Sequence, residues 1–194
     1  MCRAGPNLRK SAGFRPIRRD YVFSAVVRVG LVQTPYEHLL SILDGSGATY
    51  RVIEHEPEGR TEVVSALRGN PIEQAAKCIV VMVKLDKKTS RYYLAVVAGD
   101  ARVDLNALKQ LAGGTYVSFA STDRAEALAG SQSGTILPFS FHPDLRLVVD
   151  PGLLVHPRIY FNAARLDRSL ELSTPDYLKV AEPEIVPIVQ RDGV

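Results

Sequence analysis

The sequence predicts an α+β fold in which a mixed, mostly antiparallel, curved sheet is flanked by helices. Helix-like and strand-like segments alternate irregularly along the chain, and hairpins rather than repeated crossovers connect the strands. The composition is that of an ordinary globular protein, with 46% hydrophobic and 23% charged residues. A chain of 194 residues is long enough for a single domain with a substantial core and a short extension.

The folded domain is predicted to begin at a helix start near Thr34. Thr34 and Glu37 form a capping box, and Pro35 occupies the first helical position. Leucines then recur on one face, and a glycine at position 45 or 47 ends the helix.

The centre of the sheet is predicted to be an antiparallel hairpin. Residues 77–85 form a nearly continuous apolar run, residues 92–98 form a second one, and a polar turn at 86–90 joins them. Ahead of the hairpin lie a short strand at 50–53 and a helix at 61–67 that ends before a glycine.

Helices and strands continue to alternate after the hairpin. The predicted helices cover 104–111, 123–128 and 175–181, and the predicted strands cover 115–119, 145–150, 158–161 and 170–172. The longest irregular stretch inside the domain is 130–139, which contains two glycines and a proline.

Positive charge is concentrated at the N-terminus. Residues 1–33 contain seven lysines and arginines against one aspartate, so the remaining 161 residues carry a net charge of −3. Phosphate binding needs local positive charge, which disfavours a nucleic-acid-binding surface over the whole domain. We interpret residues 1–33 as a basic, flexible extension, either passive or in contact with RNA, residues 34–187 as the domain, and residues 188–194 as a C-terminal tail.

Several classes of protein and site are disfavoured. No apolar run reaches the roughly 18–20 residues of a membrane span. Of the two cysteines, Cys2 lies at the extreme terminus and Cys78 in a predicted strand, so no disulfide is expected and a reducing compartment is indicated. The four histidines have no ligand spacing, which disfavours a zinc site, and no Walker loop, nucleophile elbow or dinucleotide fingerprint occurs.

Three features near the hairpin are candidates for a functional site. Lys77 precedes an apolar strand and can project a fixed cation into a cleft, although its ammonium can equally reach solvent. Gly134 lies in the irregular stretch, where the backbone can approach a substrate and donate N–H groups to an oxyanion; the alternative is a plain surface loop. Asp100 follows the second hairpin strand, where a turn alone explains it.

The order and spacing of these segments resemble the YbaK family, aminoacyl-tRNA deacylases related to the editing domain inserted in bacterial prolyl-tRNA synthetase. The matching segments are 76–80, 94–100, the glycines and Pro138-Phe139 of the irregular stretch, and 173–178. The resemblance runs from about Tyr36 to Pro187, which is essentially the whole domain. Within the family, the segments 64–69, 138–143 and 161–163 most resemble the YeaK-type (ProXp-ST) branch, which clears serine and threonine from the wrong tRNAs.

The resemblance implies that Lys77 and Gly134 are the catalytic residues. Lys77 would hold the phosphate of the terminal adenosine or polarise the ester carbonyl, and the backbone of Gly134 would approach the reacting ester. The residues that the resemblance assigns to substrate binding are Thr61, Ser65, Asp100, Pro138, Ser140, His142 and Asn162.

The resemblance therefore implies a free-standing, trans-editing aminoacyl-tRNA deacylase of the cytoplasm that hydrolyses the ester of seryl- or threonyl-tRNA without a metal or organic cofactor. Its expected partners are the acceptor end of aminoacyl-tRNA and a synthetase or elongation factor, and neither a membrane nor DNA. Two alternatives stay open. The same fold can edit Ala- or Cys-charged proline tRNA, or it can serve as a non-catalytic module that binds tRNA or a synthetase.

Overall fold

The computed structural model of the protein describes residues 33–190, so the predicted basic extension lies outside it except for its last residue. The helices of this part are α1 (Pro35–Ser46), α2 (Thr61–Arg68), α3 (Leu105–Ala112), α4 (Thr122–Ala129) and α5 (Thr174–Ala181). The strands are β1 (Tyr50–Glu54), β2 (Ala76–Lys84), β3 (Ser90–Ala98), β4 (Tyr116–Phe119), β5 (Leu145–Val149), β6 (Arg158–Asn162), β7 (Arg168–Ser173) and β8 (Glu184–Ile185). Short 3-10 turns cover Ile72–Gln74 and Leu153–Val155.

The strands form two sheets, with the orders β4-β2-β3-β5-β8 and β1-β7-β6. The pairs β3–β5 and β5–β8 are parallel and the remaining pairs are antiparallel. The predicted mixed, mostly antiparallel α+β architecture is confirmed, and the predicted hairpin of β2 and β3 lies at its centre. The sequence indicated one sheet; the described residues have two, which are joined by an isolated β-bridge between Ala75 and Tyr160 and pack against each other.

The five-stranded sheet is buried on both faces. Along β3, Leu94 and Val96 point into a core shared with the three-stranded sheet, whereas Tyr93, Ala95 and Val97 point into a second core that contains residues of α3. Side chains alternate across a strand, so a strand covered on both faces must be apolar throughout. This burial explains the continuous apolar runs of the hairpin.

The start of the first helix agrees with its sequence pattern. The hydroxyl of Thr34 accepts a hydrogen bond from the Glu37 backbone N–H at 3.3 Å, and the Glu37 carboxylate accepts one from the Thr34 N–H at 2.9 Å. The helix ends at Gly47, whose φ of 69° is the left-handed conformation of a C-cap. Leu39 and Leu43 from this helix are fully buried in the first core.

Residues beyond the predicted domain end pack onto the second core. Ile188 is fully buried, and its backbone N–H donates to the Asp150 carboxylate at 2.8 Å. Val189 bridges Val103, which ties this segment to the chain ahead of α3. The described part of the predicted tail, residues 188–190, is therefore packed against the protein, and the domain boundaries themselves stay predictions.

Candidate active site

A small cavity lies where five segments converge: the start of β2, helix α2, the end of β6 and the loops 54–60 and 130–139. Its volume is about 70 Å³, several times the roughly 10–15 Å³ that one water molecule requires. The cavity therefore suits a small chemical group. The residues that line it are Gly59, Thr61, Val64, Arg68, Ala75, Ala76, Lys77, Cys78, Gly134, Ile136, Phe161 and Asn162.

Lys77 contributes a fixed cation to the cavity wall. Its Nζ donates a hydrogen bond to the Gly99 carbonyl oxygen at 2.7 Å. Burial lowers the pKa of Lys77, and the nearby carboxylates of Glu62 and Asp100 oppose this effect. An ammonium group has three donors, so one bond to the protein leaves two N–H groups for a ligand.

Residue 99, which anchors the ammonium, has to be glycine. A Cβ at this position would lie 2.5 Å from the carbonyl oxygen of Ile72 and 2.9 Å from the methyl group of Thr61. The close approach of these backbones holds the end of β3 against the turn that precedes β2. The Lys77 acceptor is therefore rigidly placed.

The loops on either side of the cavity touch through two glycines. Gly134 has a φ of 84°, and a Cβ on it would lie 2.9 Å from Gly59 Cα and 3.1 Å from the Gly59 carbonyl oxygen. Both neighbours are backbone atoms that cannot rotate away. Within residues 33–190 the Gly134 N–H has no hydrogen-bond partner, so it is a donor available at the cavity edge.

Asn162, from the end of β6, ties the two loops together. Its Nδ2 donates to the carbonyl oxygens of Glu58 at 2.8 Å and Gly134 at 2.9 Å, and its Oδ1 accepts from the Ser169 hydroxyl at 2.9 Å. These bonds use both amide N–H groups of a side chain that is 7% exposed. Asn162 thus braces the cavity wall, and its predicted role in reading the substrate stays a prediction.

Helix α2 supplies two further residues of the predicted site. Thr61 lines the cavity at the start of the helix. Ser65 lies one turn further on, is only 2% exposed, and accepts a hydrogen bond from Arg68 Nη2 at 3.2 Å. Ser65 therefore supports the wall from behind, whereas Thr61 faces the cavity.

Besides Ser65, four residues of the predicted site do not line the cavity. Asp100 is exposed beyond the end of β3 and acts on Lys77 only through its charge. Pro138 is buried, and its carbonyl oxygen accepts a bond from the Tyr177 hydroxyl at 2.8 Å. The hydroxyl of Ser140 donates to the Leu145 carbonyl oxygen, and His142 accepts a bond from a backbone N–H in the turn that leads to β5. Leu137 and Phe139 are buried in the core, and His142 lines a different pocket together with residues of α1 and α4. Their assignment to substrate binding stays a prediction.

Arg68 is a cavity residue that the sequence analysis did not identify. Its guanidinium donates to Asn70 Oδ1 at 3.0 Å, to the Ser169 hydroxyl at 3.2 Å and to the Ser65 hydroxyl. Burial lowers the pKa of Arg68 to about 10. One sequence signal pointed to it: Arg68 lies four residues after Val64 and three after Ser65, and therefore on the buried face of α2.

Cys78 is expected to resist alkylation in the folded protein. Burial raises the pKa of its thiol, so the thiol is protonated at neutral pH and is a poor nucleophile. We expect iodoacetamide at pH 8 to leave Cys78 unmodified in native protein and to modify it rapidly in guanidinium chloride, measured by mass spectrometry. A Cys2→Ser background removes the second thiol. Rapid native labelling with loss of activity would instead make Cys78 a candidate nucleophile.

No helix between residues 33 and 190 is long and apolar enough to cross a membrane. In the same part of the chain, histidine, cysteine and acidic side chains form no group of three that could hold a metal ion.

Comparison with known proteins gives consistent matches. Residues 55–180 match the family described as the aminoacyl-tRNA editing domain. The chain is 42% identical over 152 residues to the multifunctional Ser/Thr-tRNA deacylase ProXp-y of Escherichia coli K12, which covers 78% of this chain and 90% of that protein. It is 28% identical over 129 residues to the prolyl-tRNA editing protein ProX of Acetoanaerobium sticklandii. This match covers 61% of this chain and 77% of that protein. A crystal structure of a proposed trans-editing enzyme for prolyl-tRNA synthetase has the same fold, with a TM-score of 0.68, 19% identity, and 82% and 99% of the two chains covered.

Proposed function

This chain belongs to the aminoacyl-tRNA editing domain family, and we propose that it hydrolyses the ester bond of mischarged aminoacyl-tRNA. The observation that carries this proposal is that the cation of Lys77 and Gly134, whose backbone N–H has no partner among residues 33–190, line the same small cavity. The expected catalytic roles of these two residues are thus supported by their common location.

The chemistry needs little from side chains, because an aminoacyl ester is already activated. A water oxygen attacks the ester carbonyl, negative charge develops on the carbonyl oxygen, and the bond to the ribose oxygen breaks as that oxygen takes a proton. Backbone and ammonium donors aimed at the developing charge stabilise it, each contributing about 3 kcal/mol in comparable oxyanion sites. The 2′-hydroxyl of the substrate can assist the proton transfers.

The lining of the cavity agrees with catalysis by positioned water. Among the lining residues, Thr61 and Cys78 are the only ones with a hydroxyl or thiol, and none is a histidine, aspartate or glutamate. The Cys78 thiol is protonated at neutral pH, because burial raises its pKa. No side-chain nucleophile paired with a general base is therefore present on the cavity wall.

The preferred substrates that we propose are seryl- and threonyl-tRNA. The E. coli relative, 42% identical, is named for these two substrates, and a cavity of about 70 Å³ has room for a small side chain. Synthetase pockets separate near-isosteric amino acids by only about 10²-fold, so a second, hydrolytic pocket adds necessary selectivity.

A panel of charged tRNAs tests this proposal. We expect the purified protein to deacylate Ser- and Thr-tRNA well above the spontaneous rate and to leave Phe- and Leu-tRNA at that rate, because their side chains exceed the cavity. Release of radiolabelled amino acid is the measurement. Activity only on Ala- or Cys-tRNA(Pro) would keep the family and correct the specificity. Binding of tRNA without hydrolysis of any ester would instead favour the non-catalytic module.

We further propose that the protein acts in the cytoplasm on the acceptor end of aminoacyl-tRNA, delivered by a synthetase or an elongation factor. The support is the nature of the substrate, which both kinds of protein bind. Co-precipitation of purified synthetases or elongation factor with this protein, with and without charged tRNA, tests the delivery step. Lack of any ternary complex would argue for direct capture of released tRNA.

A further inference from the structure

In the part of the chain that the structure describes, the guanidinium of Arg68 is bound only by neutral groups. Its Nε, Nη1 and Nη2 each donate one hydrogen bond, to Asn70, Ser169 and Ser65 respectively. No carboxylate among residues 33–190 forms an ion pair with it. A guanidinium has five N–H donors, so two of them have no partner among the described residues.

Five other arginines of residues 33–190 pair with acidic side chains, and the four that do not are exposed to solvent: Arg91, Arg102, Arg124 and Arg146. Arg51 pairs with Glu171, Arg60 with Glu58 at 2.8 Å, and Arg165 with Asp167 at 2.8 Å, although these three are more exposed to solvent than Arg68. Removing a cation from water without a counter-charge is unfavourable, and the lowered pKa of Arg68 reflects this cost. Arg68, which is half-buried, therefore has no anionic partner among residues 33–190.

The unused donors belong to a residue of the candidate active site. Arg68 and Lys77 both line the cavity, and no aspartate or glutamate lines it. Glu62 and Asp100, which act on Lys77, are exposed side chains outside the lining. The cavity wall thus carries two cations, and a ligand with a permanent negative charge would complement them.

We propose that Arg68 binds the phosphate group on the 5′ side of the terminal nucleotide of the tRNA, an assignment that rests on the proposed deacylase function. A phosphate presents two charged oxygens to one side, which matches two N–H groups of a planar guanidinium. A reacting ester presents one oxygen, whose charge is transient. With Arg68 on the phosphate, Lys77 and Gly134 are left to act on the ester carbonyl.

The hydrogen bonds of Arg68 make this a specific site. Asn70, Ser65 and Ser169 hold the guanidinium plane from three directions, and Ser169 also bonds Asn162, which braces Gly134. The phosphate would therefore be held in a fixed relation to the loop that contacts the ester. Such pre-organised placement of a remote substrate group favours the reacting geometry.

Two minimal substrates separate the phosphate from the ester: 3′-O-seryl-adenosine and the same ester carrying a 5′-phosphate. We expect the wild-type protein to prefer the phosphorylated ester by about 10- to 100-fold in kcat/KM, the value of one or two charge-assisted hydrogen bonds. Arg68→Gln should reduce this preference to less than 3-fold, and Arg68→Lys should keep part of it. Arg51→Gln, on the outer face of β1, is the control and should keep the full preference.

The outcomes distinguish this proposal from the function on which it rests. If wild-type protein hydrolyses neither ester nor seryl-tRNA, the deacylase function fails. If Arg68→Gln loses activity equally on both esters, Arg68 acts on the ester, and the phosphate assignment is overturned. The assignment is also overturned if the variant keeps the full preference for the phosphorylated ester. If Arg68→Gln does not fold, inhibition of the wild-type protein tests the assignment instead. Adenosine 5′-monophosphate should inhibit hydrolysis of the ester at a concentration at least 10-fold lower than adenosine does. Equal inhibition by the two compounds would also overturn the assignment.

Discussion

Replacing Lys77 by alanine is expected to reduce kcat for seryl-tRNA hydrolysis by about 10²–10³-fold, the usual effect of removing one donor from an oxyanion site. Lys77 is the second residue of β2, and its ammonium is held at the cavity wall by a hydrogen bond to the Gly99 carbonyl oxygen. Its removal takes charge and donors from the cavity without opening the core, since the neighbouring strand pairs remain. Single-turnover hydrolysis with radiolabelled seryl-tRNA measures the effect.

Two further variants make this test specific. Lys77→Met keeps most of the aliphatic stem and removes the charge, so it should lose as much activity as Lys77→Ala. Lys84→Ala removes an exposed lysine from the other end of the same strand and should leave turnover unchanged. Thermal unfolding should show folded protein in all three cases. Unchanged turnover in folded Lys77→Ala protein would refute the assignment of Lys77 to the active site.

The second large effect is expected for Gly134→Ala. The new Cβ would lie 2.9 Å from Gly59 Cα, so one of the two loops has to move. A residue other than glycine at a positive φ also costs about 1–2 kcal/mol, and a displacement of about 1 Å in an active site can reduce the rate roughly 10²-fold. We expect kcat to fall by at least about 10²-fold and the free energy of unfolding to decrease by about 1–3 kcal/mol.

A second glycine of the chain provides the matched control for this substitution. Gly47 ends α1 with a φ of 69°, close to that of Gly134, but a Cβ there would meet no atom within 4 Å. Gly47→Ala should therefore have only the backbone cost of a positive φ, a loss of stability of about 1–2 kcal/mol in urea unfolding, and should keep full activity. If Gly134→Ala were as active as Gly47→Ala, close contact between the loops would not matter for catalysis.

The bracing of the two loops explains why substitutions at glycine should matter so much. Asn162 bonds the carbonyl oxygens of Glu58 and Gly134 at once, and Ser169 fixes the orientation of the Asn162 amide. His55 approaches the same Ser169 hydroxyl at 2.7 Å and contacts the Glu56 carbonyl oxygen at 2.8 Å. The cavity wall is thus a connected polar network, in which displacement of one member affects the others.

Local features of the chain were determined by the sequence alone. The capping box at Thr34, the C-cap at Gly47 and the central hairpin all appear where the sequence predicts them. Such features depend on contacts between residues a few positions apart or on strict periodicity, which a sequence displays directly. Lys77 and Gly134 were found through their position relative to these elements and through the family resemblance.

The division into two sheets and the composition of the cavity wall were decided by the tertiary structure. Arg68 meets Ser169 across 101 residues of sequence, and Asn162 meets Glu58 across 104. Ser140 and His142, close in sequence to Gly134, do not line the cavity, and His142 lines a different pocket. A periodic pattern shows which face of an element is buried, but not which distant element covers it. The partners of a buried polar side chain therefore emerge only when the whole chain has packed.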